Sequence, residues 1–200
     1  MKKDSDRMLT LLDDLLTLSR LENFDPSHKL QPIHLSALVE QLSQEGMTLS
    51  AGKQTFDTNI EPNLWIQGVQ LDLYNALSNL VFNAVRYNHD GGHIAIRLHS
   101  DDGANVRFSV SDNGPGIAAE HIPRLTERFY RVDAGRSRAS GGTGLGLAIT
   151  KHALAEHGSQ LEVESTVGKG SEFSAEFALV GMPQAVALSG ADTTPEQTAT

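Results

Sequence analysis

The chain has 200 residues, a net charge of −9, no cysteine and 39% hydrophobic residues. That is apolar material for one core plus an appendage; disulfides and cysteine-based zinc sites are excluded, and the negative balance argues against nucleic acid as a partner. No apolar run approaches the roughly 20 residues of a membrane span and the N-terminus lacks a signal-peptide pattern, so the chain as it stands reads as soluble and cytoplasmic.

The first segment predicts an amphipathic helix over Asp4–Leu21. Met8, Leu11, Leu15 and Leu18 form a near-heptad seam with Leu12 beside it, and such a stripe must bury itself against a partner. Asp25-Pro26 ends the helix, and the polar break favours a separate helical stalk over a packing helix of the main domain. A short apolar stretch, Pro32 to Leu35, leads into a helix with Ser36 as its cap and Leu38, Val39, Leu42 and Met47 on its apolar side. Gln54–Ile60 alternates as a strand does, and Leu64–Gln67 is read as its hairpin partner across Glu61-Pro62-Asn63. Residues Val69–Tyr87 turn to helical period. His93–His99 and Val106–Ser111 read as a hairpin, Ala118–Glu127 and Leu145–His157 as helices. Gln160–Glu164 and Glu172–Leu179 read as strands flanking Gly168-Lys169-Gly170. Helices interspersed with antiparallel hairpins predict a two-layer α/β sandwich. Residues 181–200, rich in Ala, Gly, Thr, Ser and Pro, predict a disordered tail.

Three segments could carry chemistry. On the Val69–Tyr87 helix, Asn75, Asn79, Asn83 and Arg86 share one side, with Leu73, Leu77, Leu80 and Ala84 on the core side. Asparagine is a poor helix former, and its amide oxygen is a hard ligand suited to a Mg²⁺ shared with phosphates. Next, a strand runs into Asp112, Gly114, Gly116 and Ile117. A carboxylate fixed at a strand end can accept a hydrogen bond from an exocyclic amine such as adenine N6, and the glycines leave room for a flat ring. Finally, Gly141, Gly142, Thr143, Gly144, Leu145 and Gly146 open a helix, where free N–H groups and the helix dipole favour phosphate. The spacing is not G-x-G-x-x-G and no apolar strand precedes it, so a dinucleotide fold fails its context test. Five of the ten arginines, Arg124, Arg128, Arg131, Arg136 and Arg138, lie within fifteen residues just upstream. Each segment alone fits a solvated helix face, an Asp-Gly turn or a basic loop. Their order decides: metal ligand, adenine acceptor, phosphate cations, phosphate cradle.

That order resembles the N, G1, F and G2 boxes of the histidine-kinase ATPase domain. The N box is Asn79 to Tyr87, G1 Asp112 to Gly116, the F box Arg128-Phe129-Tyr130-Arg131, and G2 Gly142 to Gly146. Pro123–Asp133 and Gly141–His152 look most like the phosphate-regulon branch of the sensor kinases. The resemblance covers roughly residues 3–180. It implies a Bergerat-type fold, an α/β sandwich on a mixed, mostly antiparallel sheet, and ATP with Mg²⁺ as ligands. It implies Asn83 as metal ligand supported by Asn79, and Asp112 on adenine. Gly114, Gly116, Ile117, Arg86, Tyr87, Phe129, Gly142, Thr143, Gly144, Leu145 and Gly146 would surround the nucleotide. The lid would span about Arg124 to Gly142, with Arg131 reaching the γ-phosphate and Arg136 or Arg138 beside it.

The same resemblance divides the chain into 1–27, the second helix of a dimerisation and phosphoacceptor stalk; 28–180, the ATP-binding catalytic domain; and the tail. None of the eight histidines (His28, His34, His89, His93, His99, His121, His152, His157) has the acceptor context. The chain therefore reads as a C-terminal piece of a membrane-anchored sensor, without its first stalk helix or self-phosphorylation. It would be monomeric or a weak dimer here and a homodimer in the parent, which would relay phosphate to a response regulator. Hydrolysing relatives carry Glu where Asn79 stands, and an amide cannot act as a base. Phosphoryl transfer to histidine is thus favoured over ATP hydrolysis and over a nucleotide-binding regulator that transfers nothing.

Overall fold

The computed structural model describes residues 2–22, 30–132 and 142–182, with side chains from Met8 onward. Its helices are α1 (Lys2–Glu22), α2 (Leu35–Ser50), α3 (Gln70–Tyr87) and α4 (Gly146–Glu156). Its strands are β1 (Gln31–His34), β2 (Thr55–Ile60), β3 (Trp65–Gly68), β4 (His93–His99), β5 (Asn105–Asp112), β6 (Glu162–Thr166) and β7 (Gly170–Val180). The strands form one sheet in the order β1-β3-β7-β5-β4-β2, with β6 on β7. Among the described residues only the β2–β4 pair is parallel. This is the expected mixed, mostly antiparallel sandwich.

Strand alternation builds the core. Ile94, Ile96 and Leu98 of β4, Val106, Phe108 and Val110 of β5, and Phe173, Ala175 and Phe177 of β7 are all buried. Successive side chains of a strand point to opposite faces, so each set lines one side of the sheet. Leu73, Leu77, Leu80 and Ala84 of α3 are buried as predicted and join the same cluster. Gly46 lets α2 approach α3: a Cβ there would stand 2.8 Å from Val81 Cγ1.

Three expectations are corrected. Leu64–Gln67 does not pair with β2: β3 lies between β1 and β7, and β2 sits at the far edge against β4. Alternation identifies a strand but not its neighbour. The 61–64 turn is pinned by the start of α2, which carries the chain from one edge of the sheet to the other. Ser36 does this pinning instead of capping: its hydroxyl donates to Glu61 O (2.7 Å) and accepts the Leu64 N–H (3.0 Å), while His34 is the residue at the cap position. The Ala118–Glu127 helix shrinks to a 3-10 turn, Ile122–Arg124. Pro123 within it cannot donate a helical hydrogen bond.

The α1 seam also divides. Leu18 and Leu21 are buried in the core and Leu11 packs against it, while Met8 and Leu15, with Leu9, Leu12 and Leu16, stay exposed. Two stripes at heptad-like spacing therefore share one helix, and the first is docked on α4. Burying two leucines is worth about 4 kcal/mol.

Candidate functional site

The polar stripe of α3 lies along the glycine loop. At one end Asn79 Nδ2 donates to Gly146 O (3.2 Å). At the other, a Cβ on Gly142 would lie 3.4 Å from the Tyr87 hydroxyl. Asn83, half-buried, falls between them, and its amide has no hydrogen-bond partner among the described residues. Asn79 also explains Gly146, where a Cβ would press to 2.8 Å from Asn79 Oδ1.

The opposite wall is the segment before the loop. Phe129 adopts φ +63°, a left-handed conformation rare for a bulky residue. Its N–H donates to Gly144 O (2.9 Å). Gly144, at φ +76°, fits flat on this strained backbone: a Cβ would come within 2.9 Å of Phe129 Cα. Phe129 itself is 57% exposed. Arg131 Nη1 donates to Gly142 O (2.5 Å). Arg124 stacks its guanidinium 4.2 Å from the Tyr130 ring, whose hydroxyl meets His121 Nδ1 (2.7 Å). Leu145 turns its side chain fully into the core, so only its backbone faces the loop. Arg136, Arg138, Gly141 and the middle of the expected lid lie outside the described residues, as does residue 183 onward of the expected tail.

Beyond the C-terminal end of α3 comes the Asp112 turn. Gly114 N–H donates to Asp112 Oδ1 (2.8 Å); Oδ2 has no hydrogen-bond partner among the described residues. Burial raises this carboxyl above its ordinary 3.8, and the Gly114 hydrogen bond opposes the rise. Asn113 Oδ1 accepts the His93 N–H (2.6 Å) and an Asn88 amide hydrogen (3.3 Å), tying the turn to α3 and β4. Gly114 packs beside Asn88, and Ile117 against the core. No group of three or more His, Cys, Asp or Glu side chains converges among the described residues. A metal held here would need ligands that a substrate supplies, as Mg²⁺ on phosphates does.

The profile of the "Histidine kinase-, DNA gyrase B-, and HSP90-like ATPase" family matches residues 68–181. The chain belongs to this family. The phosphate regulon sensor protein PhoR of Pseudomonas aeruginosa is 44% identical over 179 residues, 89% of this chain and 40% of that protein. PhoR of Haemophilus influenzae is 40% identical over 174 residues, covering 87% and 40%. The chain thus spans about two fifths of these curated relatives' length. Among solved structures, full-length ShkA in complex with AMPPNP superposes with a TM-score of 0.74 at 29% identity, over 90% of this chain and 38% of that one. The mycobacterial sensor histidine kinase MprB gives 0.67 at 24% identity, over 76% and 99%, a likeness of fold alone.

Within this ATPase domain, two structural supports had no local signal in the sequence. The β6–β7 turn forms the floor beneath Asp112. Gly168 N–H donates to Pro115 O (2.8 Å), and Ile117 N–H donates to Ser165 Oγ (2.7 Å). A Cβ on Gly116 would sit 2.1 Å from Thr166 O, and one on Gly170 1.9 Å from Asp112 O. Gly170 therefore packs under the Asp112 turn, and Gly168 ties to it through its N–H. The second support is α1, whose Asp14 accepts a hydrogen bond from Thr143 Oγ1 (2.6 Å). Glu22 pairs with Arg128 and lies 3.5 Å from His152 Nε2, and Arg20 pairs with Asp72.

Proposed function

We propose that this domain binds Mg-ATP and transfers its γ-phosphoryl group to a histidine of a sensor-kinase stalk, for relay to a response regulator in phosphate-starvation signalling. One observation carries the reading: two half-buried groups, the Asn83 amide on the α3 stripe that runs along the glycine loop and Asp112 Oδ2 in the turn beyond the end of that helix, have no hydrogen-bond partner among the described residues. Asp112 Oδ2 accepts the adenine amine, with Gly114, Gly116 and Ile117 along the ring and Tyr87 beside it. The glycine loop from Gly142 to Gly146 and the first N–H groups of α4 receive the phosphates, where the helix dipole favours an anion. Arg86 and Arg131, with Arg136 or Arg138 from the lid, supply the cations, and Phe129 fixes the lid's root.

Asn83 is the residue that would hold Mg²⁺, and the ion would offset charge on the phosphate oxygens. Asn79 is a positioning residue, since its amide is committed to Gly146. With no carboxylate at this position, no group is placed there to activate water. The reaction is in-line displacement: the bond from the γ-phosphorus to its bridging oxygen breaks, one to an imidazole nitrogen forms, and ADP leaves. The acceptor is read as lying elsewhere, since no histidine of the chain has the sequence context of one; His157 in addition uses both nitrogens, toward Ala153 O and the Val69 N–H. The relatives' names support the phosphate-regulon assignment. By the same likeness the domain works on the cytoplasmic side as part of a membrane sensor and dimerises through a stalk to which the segment 1–27 contributes α1 (Lys2–Glu22). No described helix is long and apolar enough to cross a membrane.

The test is calorimetric titration with a non-hydrolysable Mg-ATP analogue, followed by incubation with γ-labelled ATP and a separate histidine-bearing stalk of a PhoR relative. Binding abolished in Asp112→Ala, and acid-labile label on the stalk alone, are expected. Rapid Mg-dependent phosphate release that Asn83→Ala removes would instead make the domain a hydrolase.

A further inference from the structure

The docked helix α1 places carboxylates against the groups assigned above to the phosphates. Asp14, half-buried, takes the Thr143 hydroxyl hydrogen at 2.6 Å, and the same hydroxyl oxygen receives the Leu145 N–H at 3.3 Å. Burial raises the Asp14 carboxyl, while the Thr143 hydrogen bond and the charge of Arg86 pull it down and that of Asp13 adds to the rise. A carboxylate therefore already holds the loop hydroxyl. Two turns on, Glu22 meets Arg128 and His152 at the root of the lid. Leu18 and Leu21, buried on the same side of the helix, hold both carboxylates in place.

We propose that Asp14 is a built-in competitor for the nucleotide's phosphates, so that α1 docking and ATP binding oppose each other. The proposal rests on the nucleotide reading of Thr143 and Arg86. A carboxylate and a phosphate group at one hydroxyl repel each other and compete for the same donor. Coupling of this kind is reciprocal: whatever α1 costs ATP, ATP costs the docking of α1. The helix then acts as a brake on the empty site.

The whole chain is titrated with the non-hydrolysable ATP analogue and with adenosine, as wild type and as Asp14→Asn. Thermal unfolding verifies that the variant folds. Asp14→Asn should bind the analogue about fivefold more tightly and adenosine unchanged, because only the phosphates meet Asp14. Hydrogen exchange over residues 8–22 of the wild type should accelerate with the analogue and not with adenosine. Analogue affinity unchanged or weakened in Asp14→Asn, an equal gain for adenosine, or α1 protection indifferent to the analogue would each overturn the brake. If the wild type binds both ligands and the variant alters neither, the brake alone is lost. If neither protein binds the analogue, the nucleotide reading fails and the brake with it.

Discussion

Alanine at Gly170 separates backbone strain from displacement of the site. Gly170 has φ +114°, and a Cβ there would lie 1.9 Å from Asp112 O and 2.8 Å from Asn113 Cα. Real Cβ contacts essentially never fall below 3.0 Å, so the two backbones must part by 3.0 − 1.9 = 1.1 Å. The obstructing atom belongs to backbone, which no rotamer change can move aside. The strain itself costs about 1–3 kcal/mol, and a displacement near 1 Å at a reacting or binding centre costs on the order of 100-fold. Gly168 is the control. Its φ is +77° with nothing within 4 Å of a Cβ, so Gly168→Ala carries strain without a clash. Both variants should lower the unfolding midpoint, Gly170→Ala by more because the clash adds to the strain. Only Gly170→Ala should weaken binding of the ATP analogue in calorimetry, by roughly 10- to 100-fold. Equal binding losses in the two variants, or undiminished binding in Gly170→Ala, would refute the argument that the β6–β7 turn positions Asp112.

Two further outcomes follow from buried charge. Because burial raises the Asp112 carboxyl above 3.8, the folded state holds its proton more tightly than the unfolded state does. Stability from this group is thus present below 3.8 and lost as pH rises through the raised value. Asp112→Asn should unfold at a higher temperature than wild type at neutral pH, with the difference vanishing in acid, and should lose adenine binding. A variant less stable than wild type at neutral pH would contradict this. Asp72 is 2% exposed and its partner Arg20 33%. Arg20→Met strands that carboxylate at a cost of about 2 kcal/mol, less than for a fully buried pair because water reaches the guanidinium. Denaturant titration should show the loss, and adding Asp72→Asn should restore much of it; an unaltered midpoint in Arg20→Met would reject the pairing as structural.

Local chemistry wrote much of this molecule into its sequence. The period of α3, predicted over 69–87 and found over 70–87, follows from helix geometry acting on neighbouring residues. The β4–β5 hairpin is legible for the same reason, since its partners are close in the chain. The ordered asparagines, aspartate and glycines announced a nucleotide-binding family because each motif is a short stretch whose chemistry is local. Long-range packing settled the rest. Alternation in β2 could not reveal that its partner is β4 and not β3, nor could Ser36 announce that its hydroxyl holds the 61–64 turn instead of capping α2. The leucines of α1 looked like one seam because spacing counts residues and does not say which face meets a domain. Asp14 on Thr143 and Gly170 under Asp112 join residues 129 and 58 positions apart, where no propensity reaches and only the folded chain brings the atoms together.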